Sequence, residues 1–241
     1  MDLAKMSVTP RCLQSELERL NENIIRCRLC PRLAAWREYV ARKKVRRFRS
    51  HEYWGRPVPG FGRSGARLII VGLAPAAHGA NRTGRMFTGD RSGEWLYEAL
   101  HRFGFANRPD SRHRADGLAL RNCYITAAVR CVPPQNKPAR AELAECGQYL
   151  RREFSLLRSR RVVLALGQIA FGAVLTLERG GTNRQAGNRP PRFAHGAEWP
   201  MSRNAALIAS YHPSQQNTQT GRLTREMFYQ VFGRIRQILA E

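Results

Sequence analysis

This sequence predicts an α/β fold in three layers, with helices on both faces of a central four-stranded parallel sheet, and two observations carry the prediction. Four short aliphatic runs alternate with longer segments of helical periodicity, the pattern of parallel strands joined by helical crossovers. Three of the four runs also stop at or just before a glycine or a proline, so these strand ends open into loops rather than into further regular structure.

The elements follow in order. Leu13, Leu17, Leu20 and Ile24 recur three and four residues apart, which predicts an amphipathic helix from Ser15 to Cys27. Leu68 to Leu73 is rich in β-branched residues, too short for a core helix, and closed by Gly72 and Pro75, so it is read as the first parallel strand. Ser92, as N-cap ahead of Trp95, Leu96, Ala99 and Leu100, predicts a helix to Phe103. Cys123 to Val129 reads as the second strand. After Pro133, Pro134 and Pro138, a helix is expected from Ala139 to Leu157. Arg161 to Leu166 is the third strand, 168–177 a helix, and Arg179 to Pro191 an exposed loop. Ala205 to Tyr211 is the fourth strand, ending at His212-Pro213-Ser214. The whole of 1–241 reads as one domain, with a helical segment at about 10–60 integrated into it.

Lys and Arg total 41 against 18 Asp and Glu, a formal charge of +23. Such a surplus calls first for a polyanionic partner, nucleic acid ahead of an anionic membrane surface; a preference for arginine in a GC-rich genome is the plainer alternative. With no apolar run long enough for a membrane span, a cytoplasmic, nucleoid-associated protein is expected. The basic stretch Arg42 to Arg49, which holds Arg46 and Arg47, interleaves with Phe48, Tyr53 and Trp54 and suits phosphate tracking.

Parallel strands converge at their carboxyl ends, where open α/β sheets bind ligands. The loop from Ala74 to Asp90 carries Gly79, Gly84 and Gly89, few bulky side chains except Met86 and Phe87, and ends on the carboxylate of Asp90. His212 should face it across the sheet edge. Six cysteines in a chain with no export signal point to metal or redox chemistry rather than disulfides. Cys27 and Cys30 form a CxxC hook, and Cys131 and Cys146 supply a second arm. Such a set suits tetrahedral zinc or an iron–sulfur cluster, which spacing does not separate, while small buried hydrophobes remain the bland reading.

Four motifs in order, GLAPAAHGANRTGRMFTGD at Gly72 to Asp90, ITAAVRCVPPQNKP at Ile125 to Pro138, RFAHGAE at Arg192 to Glu198 and SYHPSQQNT at Ser210 to Thr218, resemble the family 5 (type B) uracil-DNA glycosylases. The resemblance covers nearly the whole chain. It implies a DNA repair glycosylase that hydrolyses the N-glycosidic bond of uracil in DNA. It also implies a structural [4Fe–4S] cluster on Cys27, Cys30, Cys131 and Cys146, which favours iron–sulfur over zinc. Where related families place a water-activating side chain this chain has Ala74, Pro75 and Ala76, and Ala127 and Ala128 occupy the region of a base-reading asparagine. Both departures match family 5 and imply a roomier pocket that also admits hypoxanthine.

On this reading Asp90 orients water and offsets positive charge on the sugar, and His212 donates to the base carbonyl as negative charge develops there. Phe87 stacks on the flipped base, Gly72 and Ala74 line its pocket, and Asn136 reads its edge. Ser214, Gln215, Gln216 and Asn217 enter the duplex, and Arg46 and Arg47 hold phosphates. The expected partner is double-stranded DNA containing uracil or another deaminated base, met by a monomer. Each site residue has a plainer alternative: Asp90 as a helix cap, His212 and Phe87 as packing, Asn136 as turn chemistry. Two rival functions stand beside the glycosylase, a non-catalytic iron–sulfur DNA-binding protein and a nucleotide hydrolase, though no P-loop Lys-Ser/Thr ending is present.

Overall fold

The computed structural model describes residues 9–180 and 191–241, so most of the loop expected at Arg179 to Pro191 lies outside the described residues. In chain order the elements are α1 (Pro10–Arg26), α2 (Pro31–Lys43), β1 (Phe61–Gly62), β2 (Leu68–Gly72), α3 (Ala80–Thr83), α4 (Arg91–Arg102), β3 (Cys123–Ala127), α5 (Arg140–Leu156), β4 (Val162–Leu166), α6 (Gln168–Gly180), β5 (Glu198–Met201), β6 (Ala205–Ser210), α7 (Gln215–Gln219) and α8 (Arg225–Ala240).

The four expected strands are present and mutually parallel, in the order β3-β2-β4-β6. The sheet nevertheless has six strands rather than four, because β1 pairs antiparallel with β3 and β5 antiparallel with β6. The sequence hides both additions for physical reasons. β1 is two residues long, and β5 carries Pro200, which a strand tolerates at a sheet edge.

Pleating sends alternate side chains to opposite faces. Leu68, Ile70, Val162, Leu164 and Ile208 pack with Leu96, Leu100, Phe228, Phe232 and Ile235 of α4 and α8. Ile69, Val71, Val163, Ala165 and Leu207 pack instead with Leu17, Ile24, Leu150, Phe154 and Phe171 of α1, α5 and α6. Every residue of β2, β3 and β4 is buried, as expected for strands covered on both faces.

Helix boundaries differ from expectation where capping chemistry decides them. α1 begins at Pro10, preceded by Thr9, whose side chain accepts from the Cys12 amide at 3.3 Å. α4 is capped by Asp90 and not Ser92: the Asp90 Oδ1 accepts from the Gly93 amide at 2.9 Å. α6 continues to Gly180. α2 falls within the helical segment expected at about 10–60, whereas α8 was not anticipated; Arg42 and Lys43 of the basic stretch close α2, and Arg46 to Phe48 form a separate 3-10 turn. Among the described residues no helix is long and apolar enough to cross a membrane.

Candidate functional site

The chain passes from β2 to β3 on one side and then to β4 on the other, so the loops after β2 and β4 diverge at the sheet centre, the place where open α/β sheets form a crevice. A cavity of about 370 Å³ lies there, bounded by Leu73, Gly167, Gln168, Phe193, Tyr211 and His212. Gly167 has φ +92°, where a residue with a side chain would be strained, and a Cβ there would only touch the His212 Cβ, at 3.4 Å. Ile169, 40% exposed, and Arg222 stand on the same cavity.

His212 joins this cavity to the glycine-rich loop. Its ring stacks on Phe87 with centroids 5.9 Å apart and an interplanar angle of 28°. Its carbonyl accepts from Asn217 Nδ2 at 2.8 Å, and the Asn217 amide donates to Ser214 Oγ at 3.3 Å, so the HPS turn and α7 brace one another. Ser214 and Asn217 therefore hold the His212 backbone, while Gln215 and Gln216 are exposed. Burial pushes the His212 pKa down to about 4, which keeps the imidazole neutral near pH 7 and able to donate one N–H.

Phe87 is held from two sides. Its backbone sits at φ +52°, uncommon for a bulky residue. A Cβ on Gly72 would lie 2.7 Å from its Cζ, and a Cβ on Gly93 would collide with its carbonyl oxygen. Glycine at both positions lets the loop close over the end of β2. Behind it, Arg85 clamps Asp116 through Nη1 and Nη2 at 2.8 and 2.5 Å, and its Nε donates to Thr88 Oγ1 at 3.0 Å.

Asp90 is the N-cap of α4 and closes the loop. Oδ1 is taken by the cap, while Oδ2 lies against Gly79, where any Cβ would displace it. Burial raises the Asp90 pKa; the Gly93 and Ser92 amides and the charge of Arg82 act in the opposite direction. Sequence reasoning overlooked Arg82. Its Nε donates to the His78 carbonyl at 2.8 Å, its Nη2 to the Gly89 carbonyl at 3.2 Å, and its guanidinium lies 3.9 Å from the Phe48 ring centroid. The basic stretch is thereby fastened to the Asp90 loop, a contact between residues 34 positions apart that no spacing announces.

Ala74 packs toward Leu33, Val129, Cys131 and Cys146, and Asn136 is exposed at φ +57° in the turn after Cys131.

Four of the six cysteines gather where α1, α2, the loop after β3 and α5 meet. Cys131 and Cys146 are buried with Leu33 and Val129, Cys30 packs against them, and Cys27, at the end of α1, is near enough to raise the Cys131 pKa. Burial pushes Cys30 up to about 11 and Cys146 up to about 12, with neighbouring thiolates adding to the shift. Thiolates this close repel one another, and a cationic centre between them relieves that repulsion. Arg37, 3% exposed, donates from Nη1 to Cys131 Sγ at 2.9 Å, and the Arg130 amide donates to Cys146 Sγ at 3.3 Å, bonds that suit thiolate acceptors. Arg37 Nε and Arg130 Nε and Nη1 are buried without a partner among the described residues. Among those residues no three His, Cys, Asp or Glu side chains lie close enough to share a single metal ion. The gathered thiols and their donors fit a thiolate-bound metal centre. Cys12 is exposed, and Cys123 is buried in β3.

Residues 59–236 match the family model described as the uracil DNA glycosylase superfamily. The chain is 52% identical to a type-5 uracil-DNA glycosylase of Thermus thermophilus over 87% of its own length and 92% of the relative's. It is 45% identical to a type-5 uracil-DNA glycosylase of Pyrobaculum aerophilum over 97% and 96% of the two chains. A type-4 uracil-DNA glycosylase of that organism is 33% identical over 67% of this chain and 66% of the relative.

Proposed function

The chain belongs to the uracil DNA glycosylase superfamily, and from that membership together with the strand-end site we propose that it is a monofunctional DNA glycosylase that removes uracil, and hypoxanthine as a second base, from double-stranded DNA. The observation that carries the reading is the meeting of the Gly72 to Asp90 loop with the HPS turn: Phe87 against His212 at 5.9 Å, beside a loop closed by a half-buried carboxylate whose pKa is raised.

The chemistry follows from those groups. The target nucleotide leaves the stack and its base enters the crevice beside Phe87. The bond from C1′ to the base nitrogen breaks, the electron pair goes to the base, and the neutral His212 donates a hydrogen bond to the oxygen on which negative charge collects. Neutrality suits the task, since the donor stabilises the anion without first giving up its proton. Asp90 orients a water toward C1′, offsets the positive charge of the sugar and accepts a proton as the C1′–O bond forms; a carboxyl raised by burial is a better base than an ordinary one. Gly72 and Ala74 provide a pocket wall without polar side chains, and Asn136 is assigned to the base edge. Gln215 and Gln216 follow the HPS turn on its exposed side, as duplex contacts require, and Arg46 and Arg47 hold phosphates.

Cys27, Cys30, Cys131 and Cys146 hold a [4Fe–4S] cluster in this reading. It supplies a structural tether between α1, α2, the β3 loop and α5, and takes no part in bond cleavage. The test is excision from duplexes holding one uracil, hypoxanthine or thymine, with abasic sites revealed by alkali. Release of uracil and hypoxanthine but not thymine is expected; retention of uracil in a tightly bound duplex would instead support a non-catalytic DNA-binding protein.

A further inference from the structure

A second concavity lies outside the site just described, between the end of α1, α2 and the segment from Tyr53 to Arg56. Its volume is about 580 Å³, and Arg26, Arg28, Arg37, Arg42 and Arg56 line it with Trp54. Glu38 is the one carboxylate on its wall, and Arg28 already holds both of its oxygens, at 2.6 and 3.4 Å. Arg37 is committed to Cys131 and to the Cys27 carbonyl. Arg26, Arg42 and Arg56 are exposed and have no carboxylate partner among the described residues. Like charges converging on one concavity cost free energy that a polyanion relieves, and each phosphate neutralised also releases condensed counterions.

The wall is hydrogen-bonded to the loop that carries Asp90. Trp54 Nε1 donates to the Pro57 carbonyl at 3.1 Å, and the ring lies between Arg114 at 4.4 Å and Arg56 at 5.6 Å. The Trp54 and Gly55 amides donate to the carbonyls of Arg82 and Asn81 at 2.9 and 3.0 Å, and Asn81 Nδ2 donates to the Arg37 carbonyl at 3.2 Å. One face of this segment is therefore pinned to the loop that ends at Asp90, and the other faces the arginines.

We infer that this concavity is a second phosphodiester site, in which Arg26 and Arg56 join Arg42, the first residue of the basic stretch, to grip the DNA backbone beside the flipped nucleotide, apart from the contacts assigned to Arg46 and Arg47. The inference rests on the glycosylase reading and adds to it a contact surface on the cysteine side of the molecule. An extended polyanion fits better than a single ion, because the three guanidiniums come from three separate elements.

The test compares two triple variants of the full-length, cluster-loaded protein: R26Q/R42Q/R56Q, and the charge-matched R11Q/R121Q/R158Q, whose exposed arginines precede α1, β3 and β4 or begin them at the opposite end of the sheet. The readout is the half-saturating concentration for uracil release across roughly 50 to 200 mM salt. For three phosphate contacts the site triple should lose about 2.7 units of the log–log salt slope, at about 0.9 per contact, and the control triple less than about one. Equal slope losses in the two triples, or no loss in the site triple with its melting temperature retained, would overturn the inference. Competition by inorganic phosphate at constant ionic strength, with the DNA slope unaltered by R26Q/R42Q/R56Q, would overturn it in favour of a discrete anion pocket. If the unmodified protein releases no uracil, the glycosylase reading fails first, so the two failures are distinguishable.

Discussion

Replacing Gly72 with alanine puts a methyl carbon 2.7 Å from Cζ and 2.9 Å from Cε2 of Phe87. Carbon atoms rest at about 3.5–4.0 Å, so the ring must withdraw by about 1 Å. It has little freedom to do so, because the Phe87 carbonyl abuts Gly93 and the neighbouring Arg85 and Thr88 are tied to Asp116 and Ser111. Overpacking of this kind costs about 1–3 kcal/mol of stability, and a misplacement of about 1 Å at a reacting centre costs on the order of 100-fold in rate. Single-turnover excision of uracil and thermal melting should both be measured in G72A, F87A and the double variant. G72A alone should lose about 100-fold in rate; added to F87A it should change rate and melting temperature little, because the clash partner has gone. A G72A rate within a few-fold of the unmodified protein, or a full further loss on the F87A background, would refute the assignment of Phe87 as the element that Gly72 admits.

Two further expectations come from the titrating and thiol groups. His212 has a folded pKa of about 4, below the ordinary value of about 6.5, so its contribution to stability is complete above about pH 6.5 and is lost as the pH falls toward 4. The melting-temperature advantage of the unmodified protein over H212N should therefore shrink between about pH 6.5 and 4.5; a constant difference would mean that the imidazole is not held neutral by the fold. The anaerobically purified protein should contain iron and acid-labile sulfide in equal amounts, both lost in C131S and C146S along with several degrees of melting temperature, whereas stoichiometric zinc would contradict the cluster assignment.

Much of the positioning framework was legible in the sequence because it depends on short-range patterns. The buried runs at Leu68, Cys123, Val162 and Ala205 are strands for the reason their composition suggests, and the breaks at Gly72, Gly167 and Pro213 mark the strand ends that form the crevice. α8 was missed although its signal is in the sequence: Phe228, Val231, Phe232, Ile235 and Leu239 have helical spacing and are buried on one face. β5 was obscured by Pro200 and by its dependence on β6 for pairing. Asp90 shows how one residue can satisfy two readings, since its Oδ1 caps α4 while Oδ2 remains beside Gly79. The contacts that sequence could not supply are long-range ones made by arginines: Arg82 with Phe48, Arg37 with Cys131, and Arg130 with the buried Glu153, which also accepts from Tyr124 and Thr126 at 2.8 and 2.7 Å.

The substitution D90N addresses the central claim most directly, because it removes the charge and retains the cap: asparagine caps helices about as well as aspartate. The measurement is single-turnover release of uracil by D90N at saturating protein, alongside its melting temperature and its affinity for the same duplex. The account predicts melting and binding close to those of the unmodified protein with excision slowed at least 100-fold, on the scale expected for a lost general base. Excision at a near-normal rate would confine Asp90 to capping α4 and contradict the mechanism built around it.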